Sequence, residues 1–301
     1  MVKRYLMNRE KVLTMKKIAI FPNQSRDPEF DVTRKLVEEI VRQGGQAIVE
    51  PELAGSFKSD LVEYGSYKDC DLLICLGGDG TFLSAVHHAS SMHLPKIGIN
   101  LGSVGFLMEI EADQIEPSVR QLLAGDFTIE NRRLLNITCF NHLNQAYDRG
   151  MALNDIVLTR GWGNTGIVTV DLTIDDNFVE QIPGDGVIVS TSTGSTAYNL
   201  AAGGPIVHPL VNVLLITPLA PHTLHNRTYI ADSGAVVKLQ LKGNRQVPAL
   251  LSIDGRQIVN IESQGYALIS LSDQTLKKIN LSGDKFYQTL PNKIRLRGMT
   301  K

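Results

Sequence analysis

The sequence is poor in the residue types that mark several common classes of protein. One tryptophan and 6% aromatic residues leave little material for the stacking platforms that hold single-stranded nucleic acids. Thirty basic side chains against 31 acidic ones give a net charge of -1, so no global field draws a polyanion or an anionic membrane. The expectation is therefore no nucleic-acid partner, no membrane partner, and local capture of any anionic ligand. The three cysteines, Cys70, Cys75 and Cys139, are too few for a disulfide framework and fit no zinc spacing. Cys75, inside an apolar run, reads as a small buried hydrophobe. His87, His88 and His93 lack the i,i+4 spacing that sets two metal ligands on one helix face, so no protein metal site is nominated. The longest apolar stretch, "PIVHPLVNVLLITPLAP" (205–221), is broken by His208, Pro209, Asn212 and Pro218 and does not read as a bilayer span. The N-terminus is basic but lacks the apolar core and cleavage site of a signal peptide. Residues 1–14 are expected to be a loose extension, and the chain is expected to be cytoplasmic.

What the 301 residues do contain is an ordinary globular balance, 43% hydrophobic and 20% charged, with length for two domains. "KIAIFP", "QAIVEPE", "DLLICLGG" and "PKIGINLG" read as short strands. Between and after them, "DVTRKLVEEIVRQGG", "TFLSAVHHASSMH" and "DQIEPSVRQLLAGDF" have the spacing of helices. This alternation predicts an α/β domain with a doubly wound parallel sheet over residues 15–133. Beyond it the runs are short, rich in β-branched residues and separated by turns such as "TIDDN" and "IDGR". They predict a mostly β domain over 134–275. Asp171, Asp175 and Asp176 fit a hairpin better than a cation site. The tail, 276–301, is apolar enough to pack, at a place the sequence does not reveal.

The first chemical signal is "GGDGT" (77–81), at the end of an apolar strand and the start of a helix. Ligands of parallel α/β sheets bind beyond the carboxyl ends of the strands. Gly77, Gly78, Gly80 and Thr81 offer a turn whose bare amides suit phosphate oxygens. The segment is neither the GxGxxG fingerprint nor a Walker loop; it differs in carrying an acid. A carboxylate beside phosphate has two uses, accepting a proton from an attacking hydroxyl or holding a bridging divalent metal. The plain alternative is that Asp79 only caps the helix.

A second segment, "GDGVIVSTSTGSTAYNLAAGGP" (184–205), concentrates hydroxyls and amides beyond the needs of a turn, and Tyr198 gives a flat face for a base. In "ALNDIVLTR" (152–160), the Asn154 amide matches an adenine edge, and Asp155 can accept from a ribose hydroxyl.

Taken together, these segments resemble the NAD kinase family, and the similarity extends from about Met15 through "PIVHP", "PLAPHTLHNRT" and "FYQTL". "GGDGT" alone is shared with lipid kinases of the superfamily; the combination is specific. The resemblance implies transfer of the γ-phosphoryl group of ATP to the 2′-hydroxyl of NAD's adenosine ribose, with a divalent cation, most simply Mg²⁺, and a homo-oligomer, dimer or tetramer. It implies that Asp79 is the proton acceptor and Gly80 a substrate contact. It also implies that Asn154, Asp155, Asp185, Thr196, Ala197, Tyr198, Asn199, Leu200 and Ala201 bind NAD.

The sequence departs from the family pattern at Ser192 (often Pro), Asp155 (often Glu), Pro183 (often basic), Ala201 (often Ser) and Arg256 (often Gln or His). The helix after "GGDGT" carries Ser84, His87 and His88 where Arg or Lys is common. Two rival functions remain at this stage, a lipid or alcohol kinase and a non-catalytic dinucleotide sensor. Arg132, Arg133, His222 and His225 are lesser candidates for ligand contact.

Overall fold

The structure is a computed structural model that describes residues 16–102, 105–161, 166–223, 226–242 and 249–298. It divides into two compact units, 1–131 with 276–301, and 132–275.

In the first unit, strands β1 (Lys17–Pro22), β2 (Gln46–Val49), β3 (Val62–Tyr64), β4 (Leu72–Gly77) and β5 (Lys96–Asn100) form a parallel sheet. Their order is β3-β2-β1-β4-β5. The chain winds outward through β2 and β3, then returns to place β4 on the other side of β1. That reversal is the switch point of a doubly wound sheet, at the carboxyl ends of β1 and β4.

Helices α1 (Asp31–Arg42), α2 (Asp79–Val86) and α3 (Ile115–Ala124) follow the strands. Leu36, Val37 and Ile40 of α1 and Ile115, Val119 and Leu122 of α3 share one core with Ile18, Ile20, Leu72, Ile74, Ile97 and Ile99. The opposite face belongs to α2: a Cβ at Gly98, which alternates with Ile97 and Ile99, would lie 3.3 Å from Phe82. Helix α1 starts where the buried Asp27 carboxylate accepts the Thr33 amide at 2.9 Å, and α3 stops at Gly125, φ 68°. The sequence pattern carries α2 on through His93, but the helix ends at Val86. There His88 turns aside to meet Glu50 at 3.0 Å, and a short helical turn at 89–91 replaces the continuation. The two-residue strand β6 (Ile110–Glu111) pairs with β5.

The second unit is built from antiparallel pairs. Strands β7 (Thr128–Phe140) and β8 (Ala146–Ala152) pair with each other. Strands β9 (Asp155–Arg160), β10 (Val168–Ile174), β11 (Asn177–Gly184) and β12 (Gly186–Thr191) follow, then the one-turn helix α4 (Tyr198–Ala201). Strands β13 (Val213–Leu219), β14 (Tyr229–Asp232), β15 (Val236–Lys242), β16 (Ala249–Ile253), β17 (Gln257–Ile261) and β18 (Tyr266–Asn280) complete it. One sheet has the order β14-β13-β12-β9-β16-β17, and the other contains the run β11-β10-β15-β18. Their inward residues, among them Ile156, Leu158, Val187 and Val189 from one sheet and Val170, Leu172, Val237 and Leu239 from the other, form one core. The β10–β11 hairpin turns at Asp175 and Asp176, both at positive φ, as "TIDDN" predicts. The chain leaves the first unit within β7 and re-enters it within β18. The tail then forms α5 (Phe286–Gly298), which carries Pro291.

Close backbone packing of β12 fixes the glycines of "GDG". A Cβ at Gly186 would lie 2.0 Å from the Leu158 carbonyl oxygen, and one at Gly184 would lie 2.7 Å from that of Leu219. Gly186→Ala is expected to destabilise the protein by about 3 kcal/mol or more. Urea unfolding checks this, and an unchanged midpoint would contradict the packing.

Candidate functional site

The two segments singled out by sequence lie in different units. In the first, β4 ends at Gly77, Gly78 takes an extended conformation as the cap, and α2 begins at Asp79. Gly77 is needed for space, since a Cβ there would lie 2.2 Å from Thr81 Oγ1. At Gly78 and Gly80 an added Cβ would meet nothing within 4 Å among the described residues, so the side on which a side chain would stand is unobstructed there. Thr81 points the other way. It is buried, and its hydroxyl accepts from the Asn23 side-chain amide at 2.7 Å and from the Gly78 amide at 3.4 Å. Asn23 directly follows β1 and donates its own amide to the Leu76 carbonyl at 3.0 Å. The carboxyl ends of β1 and β4 are thus tied together at the switch point.

Asp79 occupies the first helical position rather than the cap, so helix capping does not account for its carboxylate. Oδ2 accepts the Phe106 amide at 2.9 Å and Oδ1 accepts the Leu107 amide at 3.0 Å. A Cβ at Gly105 would lie 2.1 Å from Asp79 Oδ1; a bare α-carbon is what lets this loop close on the acid. Hydrogen bonds from two backbone amides fix the direction of the carboxylate. Asp79 is half-buried and Gly80 exposed. Asn23 and Gly105 were not recognisable as part of the site in the sequence. The signal available was "LGSVGF", a second glycine loop after β5 and so at the same edge of a parallel sheet.

The second unit holds the remaining expected contacts. Leu153 and Asn154 lie between β8 and β9. The Asp254 carboxylate accepts the backbone amides of Leu153 at 2.8 Å, Asn154 at 2.8 Å and Asp155 at 3.2 Å. Asp254 itself sits at φ 48° in the β16–β17 turn. Gly194 packs on the Asn154 carbonyl so closely that a Cβ would lie 2.1 Å from it. With its backbone pinned, Asn154 is half-buried, and its side-chain amide makes no hydrogen bond to any described residue. Both edges of that amide remain available to a ligand.

Most hydroxyls of "STSTGST" bond backbone carbonyls of the loop and of the chain around it. Thr191 bonds the Leu153 carbonyl at 2.6 Å, Ser190 the Asn154 carbonyl at 3.1 Å, Ser195 the Val207 carbonyl at 3.1 Å and Thr196 the Thr193 carbonyl at 3.4 Å. Ser192 donates to the Val211 carbonyl. Their concentration, read in sequence as ligand groups, is explained here by loop architecture: a buried polar turn must satisfy its own carbonyls. Asn199 is also fully buried and braces the turn, accepting from the Thr217 hydroxyl at 2.6 Å. On the open side are Tyr198, 48% exposed, with Ala201 exposed and Ala197 and Leu200 half-buried.

Asp185 is half-buried, and its Oδ1 lies 3.6 Å from Arg160 Nε. Arg132 reaches the Thr193 hydroxyl at 3.5 Å, and Arg133 the Ser272 carbonyl at 2.9 Å. His222 sits in the turn after β13, its amide donating to the Pro183 carbonyl at 2.7 Å; His225 lies outside the described residues.

Asp155 is 6% exposed, and its pKa is pushed up to about 7, first by burial and then by the charge of Asp254, against a bond from the Tyr198 amide. In the folded chain it therefore keeps its proton at pH values where the unfolded chain has lost it. For a raised carboxyl the native state binds more protons than the unfolded one, so its contribution falls as pH rises from about 4 to about 7. Asp155→Asn is expected to stabilise the unliganded protein at pH 8 by more than about 1 kcal/mol, and to flatten stability between pH 5 and 8. Parallel stability curves for variant and parent over that range would refute the shift.

Comparison with known proteins agrees with this arrangement. The ATP-NAD kinase N-terminal domain family matches residues 18–127, and the ATP-NAD kinase C-terminal domain family matches 153–281. An NAD kinase of Ruminiclostridium cellulolyticum is 39% identical over 93% of this chain and 98% of its own. One of Acetivibrio thermocellus is 36% identical over 94% and 99%. Among solved structures, yeast NADH kinase complexed with NADH has a TM-score of 0.83 at 23% identity, over 96% of this chain and 90% of its own. An Archaeoglobus fulgidus NAD kinase in complex with ATP has a TM-score of 0.70 at 21% identity, over 93% and 99%; these two likenesses speak for the fold. With both halves matched, and relatives this similar along nearly their full length, the chain belongs to the NAD kinase family.

Proposed function

We propose that this chain transfers the γ-phosphoryl group of ATP to the 2′-hydroxyl of the adenosine ribose of NAD, forming NADP and ADP. The observation that carries this reading is the Asp79 carboxylate, fixed by two amides at the rim of a parallel sheet between the side-chain-free positions Gly78 and Gly80. Asp79 takes the proton of the attacking hydroxyl, and Gly77, Gly78 and Gly80 line the path of the transferred group. Phosphoryl transfer asks for positioning and charge neutralisation more than covalent help, and a fixed acid among amides supplies both. The second unit binds the adenosine half through the Asn154 amide, Asp155 and the face of Tyr198. The backbone at Thr196, Ala197, Asn199, Leu200 and Ala201 and the Asp185 carboxylate complete its contacts.

The divalent cation is Mg²⁺ in this proposal, an ion that usually takes only one or two protein carboxylates. When bound it neutralises phosphate charge. A homo-oligomer, dimer or tetramer, and a cytoplasmic location belong to the same proposal. Among the described residues no helix is long and apolar enough to cross a membrane.

A coupled assay in which donor and acceptor are varied independently tests the reaction. NADP is expected only with NAD, ATP and a divalent cation together, and none is expected from 2′-deoxy-NAD. Phosphorylation of a lipid alcohol but not NAD, or binding of NAD without turnover, would replace this reading with a lipid kinase or a sensor.

A further inference from the structure

Of the positions of helix α5 whose exposure is described, 286–296, most are exposed, and the covered ones are Phe286, Thr289, Leu290 and Lys293. This is the i, i+3, i+4, i+7 stripe that a helix turns toward its own domain. A lysine on such a stripe ordinarily runs its stem along the surface and returns its ammonium to water. Lys293 instead sets Nζ over the Phe106 ring, 5.6 Å from the centroid. The amide of that same Phe106 is one of the two that hold Asp79.

The ammonium makes no hydrogen bond or ion pair to any described residue. The acids near it are already engaged. Glu109 meets Lys278 at 3.0 Å and the Ser282 hydroxyl at 2.9 Å, and Glu111 accepts the Asn100 amide at 3.1 Å. Burial lowers the proton affinity of Lys293, Lys278 adds repulsion, and the charges of Asp79, Glu109 and Glu111 pull the other way. The helix that follows the glycine turn offers no Lys or Arg. Its Ser84 hydroxyl donates to the Gly80 carbonyl at 3.0 Å, and His88 is taken by Glu50. A half-buried cation thus stands over the ring of the residue whose amide holds Asp79, within range of that carboxylate's charge.

Building on the phosphoryl-transfer reading above, we propose that Lys293 is a further catalytic residue, whose ammonium contacts the non-bridging oxygens of the phosphoryl group as it moves from ATP to the acceptor hydroxyl. The bond formed joins the acceptor oxygen to the γ-phosphorus, and the bond broken joins that phosphorus to the β–γ bridging oxygen. The hydroxyl proton passes to Asp79, ADP leaves with the bridging electron pair, and Lys293 keeps its proton throughout. The C-terminal helix thereby supplies the cation that α2 lacks. A merely structural lysine, gripping Phe106 through its ring, would act on stability and on both substrates alike.

Lys293→Met and Lys293→Arg, assayed with ATP and NAD varied separately, decide between the two. The inference expects kcat/KM for ATP to fall about 10²- to 10³-fold in Lys293→Met. NAD affinity and melting temperature should stay near those of the parent, and Lys293→Arg should recover at least about tenfold of the loss. It is overturned if Lys293→Met keeps kcat/KM for ATP within about threefold of the parent. It is overturned equally if both substrates suffer together with a lowered melting temperature and arginine restores nothing. Absence of NADP formation by the parent chain would overturn the function itself; an active parent with an unaffected Lys293→Met would overturn this inference alone.

Discussion

The interaction on which the first unit's chemistry depends is the pair of hydrogen bonds from the Phe106 and Leu107 amides to the Asp79 carboxylate. An acid at the end of a buried strand, next to the place for phosphate, is unfavourable unless its oxygens are given hydrogen-bond partners. Two backbone amides provide them at the cost of one constraint, that the chain just before them come very close. Gly105 meets that constraint because it has no side chain. The acid is consequently oriented by the scaffold, and both loops that frame it leave the carboxyl edge of one parallel sheet. Charge-assisted bonds from backbone donors are short and direction-setting. They allow a half-buried acid to sit in one place before any substrate arrives.

A similar economy governs the second unit. Asp254 gathers three consecutive amides, and Gly194 presses against the carbonyl between them. The buried hydroxyls of 190–196 close the remaining carbonyls. What this leaves outward is small, an amide at Asn154 and the ring of Tyr198, with the Asp155 carboxyl held beneath at a proton affinity far above that of a free aspartate. Binding groups are exposed here because the surrounding polar groups are satisfied internally.

Much of this was legible in the sequence, for identifiable reasons. Strand–helix alternation and the Gly-Gly and Gly125 stops marked the parallel sheet. "GGDGT" declared itself because an acid among glycines has few structural uses, and the Asp-Asp-Asn turn marked its hairpin. What stayed hidden depends on contacts between residues far apart in the chain. Gly105 lies 26 positions beyond Asp79 and Asp254 lies 100 beyond Asn154; neither separation leaves a local pattern. The hydroxyl-rich segment misled for the complementary reason: composition records how many hydrogen-bonding groups are present but not which carbonyls they serve. Past the early end of α2, His88 meets Glu50, a residue from beyond β2 that no local pattern links to it. Lys293 was invisible because a helical stripe shows its meaning only when its neighbours are known.

The measurement that bears most directly on the account is the single-turnover rate of NAD phosphorylation in Asp79→Asn, with NAD affinity determined on the same preparation. The substitution keeps size and shape while removing the proton acceptor and exchanging one of the two oxygens that accept backbone amides for an NH₂ group. The account predicts a fall in rate of about 100-fold or more with NAD affinity within about threefold of the parent. A rate within about tenfold of the parent, roughly 1.4 kcal/mol of barrier, would show that Asp79 does not take the proton.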